Sequence, residues 1–106
     1  MYARDDVARA EDWQQPPAGA RLDDAVQVLR MLADHTRLRM MWLLSGAEYD
    51  VTTLASAVGI ARPAVSQHLA KLRLAGLVDV RRDGRRTMYH ARGDQVRRLL
   101  LDAVPA

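Results

Sequence analysis

Apolar residues recur three or four positions apart through most of the chain, which is the spacing of amphipathic helices. This period predicts five helices, at residues 22–33, 35–44, 51–58, 63–75 and 93–104. After Gly76 the period changes to two, which predicts a pair of β-strands. Residues 1–20 have no fixed period and are interrupted by Pro16 and Pro17. We therefore predict a weakly ordered N-terminal arm at 1–20 and one folded domain at 21–104.

Acidic residues stand at the predicted starts of three helices. Asp34 and Asp50 precede the second and third helices, where a carboxylate can accept hydrogen bonds from free backbone N–H groups. Asp23 and Asp24 fall in the expected first turn of the first helix, where the helix dipole favours negative charge. The second helix is apolar on most sides, so we predict that it is the central core helix and that Trp42 is a core residue.

The helices predicted at 51–58 and 63–75 are joined by a tight turn. Gly59 ends the first, and Pro63 suits the first turn of the second because its missing N–H costs nothing there. The apolar stripe of the second helix consists of Val65, Leu69 and Leu72. Away from this stripe lie polar and basic residues without an acid: Arg62, Ser66, Gln67, Lys71 and Arg73. The pattern indicates a helix-turn-helix with a basic recognition helix. A helical hairpin with a solvated charged face is the alternative.

The two alternating runs after Gly76 are separated by Asp-Gly at residues 83–84, a strong hairpin signal. A two-residue turn there would place Val80 opposite Thr87. Four arginines lie near the tip, where they suit phosphates or a minor groove: Arg81, Arg82, Arg85 and Arg86. We expect no packing role for them. A helix-turn-helix followed by a basic hairpin is a winged helix, so the predicted fold class is mainly α with a small β-hairpin.

The first and last predicted helices carry more apolar surface than a core of this size can cover, and such surface usually marks a partner site. We predict that two copies bury it together in a two-fold symmetric dimer, which suits palindromic DNA. The predicted interface residues are Leu22, Val26, Leu29, Val96, Leu99, Leu100 and Ala103.

Length and composition exclude several kinds of protein. A chain of 106 residues suggests one domain, and the absence of cysteine excludes disulfides, thiolate metal sites and thiol redox sensing. No apolar run approaches the ~20 residues of a membrane span and no signal peptide is evident, so we expect a cytoplasmic protein without a membrane partner. Ser66 and His68 are two apart on a helix and do not face each other, and no phosphate loop is present. We therefore predict no enzymatic activity and no cofactor.

Positive charge is concentrated in one part of the chain. The formal net charge is only +3, but residues 61–86 contain 7 basic and 2 acidic side chains, a balance of +5. Such concentration is typical of a nucleic-acid-binding surface. It would also suit an acidic protein partner.

Three segments together resemble the ArsR/SmtB family of bacterial winged-helix repressors: LADHTRLRMMWLL, VTTLASAVGIARPAVSQHLAKLRLAGLV and RRDGRRTMYHA. The start MYA and the run VSQHLAKLR are most similar to the nickel- and cobalt-sensing branch. The resemblance covers residues 22–104. It implies a homodimer built from the first and last helices and repression that is relieved when a ligand binds.

The sensory positions depart from the family's pattern. Asp50 and Thr52 stand where the family's metal-binding cysteines would be, and Gly93 and Gln95 replace its Asp-x-His pair. The printed sequence also ends before the tail that holds extra ligands in the nickel and cobalt branch. The three histidines, His35, His68 and His90, share no short ligand spacing. We therefore expect no metal site within one chain.

The leading hypothesis is a dimeric, sequence-specific DNA-binding repressor whose partner is double-stranded operator DNA and whose inducer is not identified. Ser66, Gln67 and His68 would contact base edges, since glutamine suits adenine. The predicted phosphate or minor-groove contacts are Arg62, Lys71, Arg73, Arg81, Arg82, Arg85 and Arg86. One alternative is a winged-helix module that binds an acidic protein. Another is a metal-responsive repressor with a site between two chains, made from His35 or His90 and a carboxylate.

Overall fold

The computed structural model describes residues 15–105, so residues 1–14, most of the predicted arm, lie outside the described part. The described chain forms five helices and one antiparallel hairpin, a winged helix-turn-helix, as predicted. In chain order the elements are α1 (Gly19–Leu32), α2 (His35–Leu44), α3 (Val51–Val58), α4 (Arg62–Leu74), β1 (Val78–Asp83), β2 (Arg86–Ala91) and α5 (Gln95–Ala103).

Helix α1 begins two residues before the predicted domain boundary at Arg21. The Leu22 amide donates to the Ala18 carbonyl at 3.0 Å, so the first turn closes before Asp23 and Asp24. The first turn therefore contains no acid, and the expectation that these aspartates favour the helix start is wrong. The helix begins at Gly19, three residues before the predicted start, so Asp23 and Asp24 follow its first turn.

Helix α2 is central, and its predicted bounds are confirmed. The Asp34 carboxylate accepts from the Arg37 backbone N–H at 2.9 Å, which caps the helix, and this hydrogen bond lowers the pKa of Asp34. Helix α2 packs against α1, α3, α5 and β2. Its fully buried residues are Met40, Met41 and Leu44.

Trp42 does not belong to this core, contrary to the sequence-based prediction. Its side chain is 47% exposed and lines a surface depression together with Arg97 and Leu101 of α5. Met40, Met41 and Leu44 set the side of α2 that faces the domain interior, and at about 100° per residue Trp42 lies about 200° around the helix from Met40. Helical geometry therefore turns Trp42 outwards.

The hairpin forms with a register two residues away from the predicted one. Asp83 pairs with Arg86, and Val80 pairs with Tyr89 instead of Thr87. The two-residue loop is thus Gly84-Arg85, with Gly84 at φ 62°, because a glycine at the first loop position provides the positive φ that tight hairpins need. A shift of two residues preserves which side chains share a face, so the predicted faces of the strands are unchanged.

The core lies between the helix-turn-helix, α2 and α5. Val96 and Leu100 of α5 are each 2% exposed and pack in this core with residues of α2, α3 and α4. Helix α5 is shorter than the predicted 93–104 because Gly93, at φ 62°, precedes it. Within residues 15–105, no helix is both long and apolar enough to cross a membrane.

Candidate nucleic-acid interface

The helix-turn-helix is built by a glycine turn and a proline start, as the sequence predicts. Helix α3 ends at Gly59, whose φ of 74° is a conformation that glycine adopts without strain. Pro63 lies in the first turn of α4. At the other end of α3, the Asp50 carboxylate accepts from the Thr53 backbone N–H at 2.8 Å, which confirms the predicted cap.

Helix α4 has one buried and one exposed side. Val65, Leu69 and Leu72 are at most 1% exposed, so the predicted apolar stripe is confirmed. Apart from Pro63 in the first turn, the exposed residues, which we call the recognition face, are Arg62, Ser66, Gln67, Ala70, Lys71, Arg73 and Leu74. This face contains three cations and no acid. It therefore presents positive charge around a polar and apolar centre.

His68 lies apart from Ser66 and Gln67, although we predicted all three at base edges. It is half-buried, and its Nδ1 lies 3.4 Å from Nη1 of Arg37. The Arg37 side chain is itself held by the Met31 carbonyl, to which its Nε donates at 2.8 Å. His68 therefore contacts the body of the domain at α2, whereas Ser66 and Gln67 are exposed.

Ala70 and Leu74 are members of the recognition face that the sequence-based list omitted. Leu74 is 90% exposed, more than any other large apolar side chain in residues 15–105. Together with Ser66 and Arg73, both residues line a cleft that reaches across to Tyr89 of β2. The signal was present in the sequence, since positions 67, 70 and 74 follow each other at helical spacing and none of them belongs to the predicted apolar stripe.

The four wing arginines fall into two pairs, where the wing is the hairpin of residues 78–91. Arg82 donates from Nη1 to Thr87 Oγ1 at 2.9 Å, within the hairpin itself. Arg85 is exposed at the tip, and no hydrogen bond or ion pair to the other described residues holds its side chain. These two guanidinium groups remain beside the hairpin tip and face solvent.

Arg81 and Arg86, by contrast, are tied to the loop before α3. Arg81 donates to both carboxylate oxygens of Glu48, from Nε at 2.6 Å and from Nη2 at 2.7 Å. Arg86 donates from Nε to Asp50 Oδ2 at 3.1 Å. The expectation that the arginines have no packing role is therefore wrong for this pair, because acids 33 and 36 residues earlier in the chain contact them.

These contacts change the electrostatics of the loop. The hydrogen bonds from Arg81 lower the pKa of Glu48. The pKa of Asp50 is lowered mainly by the Thr53 backbone N–H, and less by the Thr53 hydroxyl and by Arg86. At the base of the wing, Arg92 donates to Asp79 Oδ1 from Nε at 2.8 Å and from Nη2 at 2.6 Å, and these hydrogen bonds lower the pKa of Asp79. Both loop carboxylates are thus held in the charged form.

The residues predicted for a dimer interface are divided by the structure. Four exposed apolar side chains of α1 and α5, which we call the terminal face, are Leu22, Val26, Leu29 and Leu99, at 46%, 41%, 54% and 36% exposure. Leu101 of α5, at 58% exposure, lies instead beside Trp42. Ala103 is also exposed and borders the apolar groove between the two helices. Val96 and Leu100 are buried within the protomer, so their assignment to the interface is corrected: they fill the core beneath it.

The candidate metal ligands are dispersed or already engaged. Within residues 15–105, no three histidine, aspartate or glutamate side chains are close enough together to hold a metal ion. His35 is exposed at the start of α2, and His90 Nδ1 lies 3.0 Å from the Ala91 carbonyl. Asp50 already accepts from Thr53 and Arg86, while Thr52 is exposed.

Sequence relatives place this geometry in a family. Residues 34–80 match the model of the bacterial regulatory protein arsR family. The chain is 52% identical over 79 residues to the HTH-type transcriptional regulator KmtR of Mycobacterium tuberculosis, a match that spans 74% of this chain and 61% of KmtR. It is 34% identical over 104 residues to the HTH-type transcriptional repressor SmtB of the same species, covering 98% of this chain and 77% of SmtB.

Solved structures share the same architecture. A homodimeric winged helix-turn-helix DNA-binding domain from Mycobacterium bovis, described as a possible ArsR-family transcriptional regulator, has a TM-score of 0.73 at 35% identity, with 82% of each chain covered. NolR from Sinorhizobium fredii has a TM-score of 0.73 at 34% identity, covering 83% of this chain and 91% of NolR. The relatives are transcriptional regulators, and this chain belongs to the ArsR family of bacterial regulatory proteins.

Proposed function

We propose that this protein is a cytoplasmic, dimeric, sequence-specific DNA-binding repressor without enzymatic activity. The observation that carries the proposal is the recognition face of α4, which exposes three cations and no acid beside an arginine-bearing wing. A helix with such a face fits the major groove of B-DNA, while its cations neutralise phosphates. The transcriptional regulators among its relatives support the same role.

The centre of the recognition face would read the bases. Ser66 and Gln67 offer hydrogen-bonding groups, and glutamine can bond adenine N6 and N7 together. Ala70 and Leu74 add an apolar surface that suits the methyl group of thymine. We therefore expect an operator with an A·T-rich element in each half-site. Arg62, Lys71 and Arg73 surround this centre and would contact phosphates.

A dimer would place two recognition faces on one duplex. The terminal face exposes apolar side chains of both α1 and α5, and covering it with a second copy would remove them from water. The Mycobacterium bovis domain, which is homodimeric, supports this arrangement. A two-fold axis would then match a palindromic operator, with half-sites about one helical turn apart.

We also propose that repression does not respond to metals. In the described chain Asp50 is committed to the α3 cap and to Arg86, and threonine at position 52 is a poor ligand. Gly93 and Gln95 offer no better donors at the start of α5. The signal that relieves repression would then be a non-metal one, or repression would be constitutive.

Selection of bound duplexes from a random pool tests the function. Purified protein should enrich a palindromic element, and Gln67→Ala should change the enriched bases. Gln27→Ala is the matched control, because Gln27 is an exposed glutamine on α1, outside the recognition face. If no sequence is enriched and binding to all duplexes is equally weak, the winged helix serves another partner, and an acidic protein becomes the better candidate.

A further inference from the structure

The loop before α3 forms a third, very short strand against the wing. Tyr49 and Tyr89 exchange two backbone hydrogen bonds as an antiparallel bridge, with N···O distances of 3.0 and 2.8 Å. Because alternate residues of an extended segment lie on the same side, this bridge brings Glu48 and Asp50 to one side of the loop. Both carboxylates contact the wing there.

The register of the hairpin separates the arginines in a matching way. Arg81 pairs with Met88 and Arg86 with Asp83, so Arg81 and Arg86 share one face of the hairpin. Arg82 pairs with Thr87 on the opposite face, and Arg85 lies in the loop between the strands. Arg81 and Arg86 therefore face the two loop acids, whereas Arg82 and Arg85 do not.

We propose that Glu48 and Asp50 are intramolecular counter-ions of the wing, so that Arg81 and Arg86 position it against the helix-turn-helix and leave the phosphate contacts to Arg82 and Arg85. This inference rests on the proposed DNA-binding function. The sequence-based hypothesis gave the wing four DNA-binding arginines, whereas this proposal gives it two. The chemical consequence is a limit on charge-driven binding, because each phosphate contact that is not made releases no counter-ion.

The geometry of the two ion pairs favours their retention when the protein binds DNA. Glu48 holds Arg81 through two parallel N–H···O bonds, the geometry that fits a guanidinium best. If Arg81 turned to a phosphate, the Glu48 carboxylate would be left unpaired beside the negative duplex. Asp50 cannot follow Arg86 towards DNA, because its other oxygen caps α3 through the Thr53 backbone N–H. Both arginines therefore gain little by exchanging a carboxylate for a phosphate.

Salt dependence of binding to a random duplex tests the proposal directly. Affinity of the full chain is measured by fluorescence anisotropy between about 50 and about 300 mM KCl, and the slope of log K against log salt counts phosphate contacts at about 0.9 per contact. Glu48→Gln should steepen the slope by about 0.9 and raise affinity about three- to tenfold at the lowest salt, since Arg81 is released. Asp50→Asn should act in the same direction through Arg86, and asparagine still caps α3.

Arg81→Gln alone should leave the slope unchanged, and it should abolish the effect of Glu48→Gln in the double variant. A matched control is Asp83→Asn, which removes a wing acid that forms no hydrogen bond or ion pair with an arginine of the described chain and acts on Arg81 only through its charge; its slope should change much less. Thermal unfolding by circular dichroism verifies that each variant is folded, as expected for exposed ion pairs.

Two results would overturn the proposal: a slope lowered by about 0.9 in Arg81→Gln, or an unchanged slope in Glu48→Gln. The first would mean that Arg81 already contacts a phosphate in the wild type. The second would mean that a freed Arg81 cannot reach one. Failure of the DNA-binding function has a different signature, because the wild type would then show no salt-dependent binding to any duplex, and the inference would fall with it.

Discussion

The recognition face of α4 and the terminal face of α1 and α5 are both uncovered in the protomer, but their chemistry is opposite. The recognition face exposes three cations and two hydrogen-bonding side chains around a small apolar centre. The terminal face exposes Leu22, Val26, Leu29 and Leu99, and Arg21 and Asp24 line the groove that contains Leu29 and Leu99. Charged side chains are stable in water, whereas a row of exposed leucines is not. We therefore expect different partners for the two surfaces: nucleic acid for the recognition face and a second copy of the chain for the terminal face.

Neighbouring residues of one helix differ sharply in exposure. On α5, Leu99 is 36% exposed while its neighbour Leu100 is 2% exposed, so one helical turn serves both the surface and the core. On α4, Gln67 is exposed while His68 is turned to Arg37. Adjacent residues on a helix point about 100° apart, so function cannot be assigned to a run of consecutive residues.

The largest effect is expected from Leu100→Glu, which should unfold the protomer. A carboxylate at this buried site would be unpaired, at a cost of several kcal/mol against a total stability of about 5–15 kcal/mol. Thermal unfolding followed by circular dichroism measures the loss.

Leu99→Glu is the matched control, since it changes the same residue type on the same turn but at the terminal face. This variant should remain folded and sediment as a monomer at concentrations where the wild type is a dimer. A folded Leu100→Glu, or a dimeric Leu99→Glu, would show that the division between core and terminal face is wrong.

The next effect concerns the recognition face. Gln67→Ala should weaken binding to the selected operator by roughly 1–3 kcal/mol and leave random duplex binding nearly unchanged, because a base contact is lost. Competition of operator against random duplex measures the ratio, with Gln27→Ala as control. Equal losses on both duplexes would remove Gln67 from base recognition.

A smaller effect is expected at the wing tip. Arg85→Gln should weaken operator and random duplex alike and reduce the salt slope by about 0.9, because Arg85 would contact a phosphate and no base. Isotherms at several salt concentrations give the slope. An unchanged slope would place the tip outside the interface.

The smallest effect is expected from metals. Zinc, nickel or cobalt at micromolar concentration should change operator affinity by only a few-fold, a coupling below ~1 kcal/mol, compared with about 1–3 kcal/mol for an allosteric effector. Titration of each ion into the protein–operator complex, with a chelator added back, measures this coupling.

A tenfold or greater loss of affinity that His90→Ala abolishes would instead establish a metal site. Such a site would have to join two chains, since the described residues of one protomer group no three candidate ligands. His35→Ala distinguishes the other histidine of that alternative.

Local sequence signals were sufficient for the helices that have a cap and a stop. Asp34 and Asp50 each cap the helix that follows, and Gly59 ends α3 at a positive φ, so α2 and α3 begin and end where predicted. These signals involve residues three or four positions apart. The hairpin was predicted for the same reason, but its register depended on which residues form the loop, and Gly84 occupies the first loop position instead of the second.

The sequence by itself determined the winged-helix fold, the basic exposed side of α4 and the apolar excess of the terminal helices, because each follows from periodicity and charge along one element. Only the tertiary structure decided which of these basic and apolar residues face solvent and which pack or form ion pairs within the protomer. The partners of Arg81 and Arg86 lie 33 and 36 residues away, and Leu100 is covered by helices distant in the chain. Periodicity states which side of an element a residue occupies, whereas packing between elements decides what stands opposite that side.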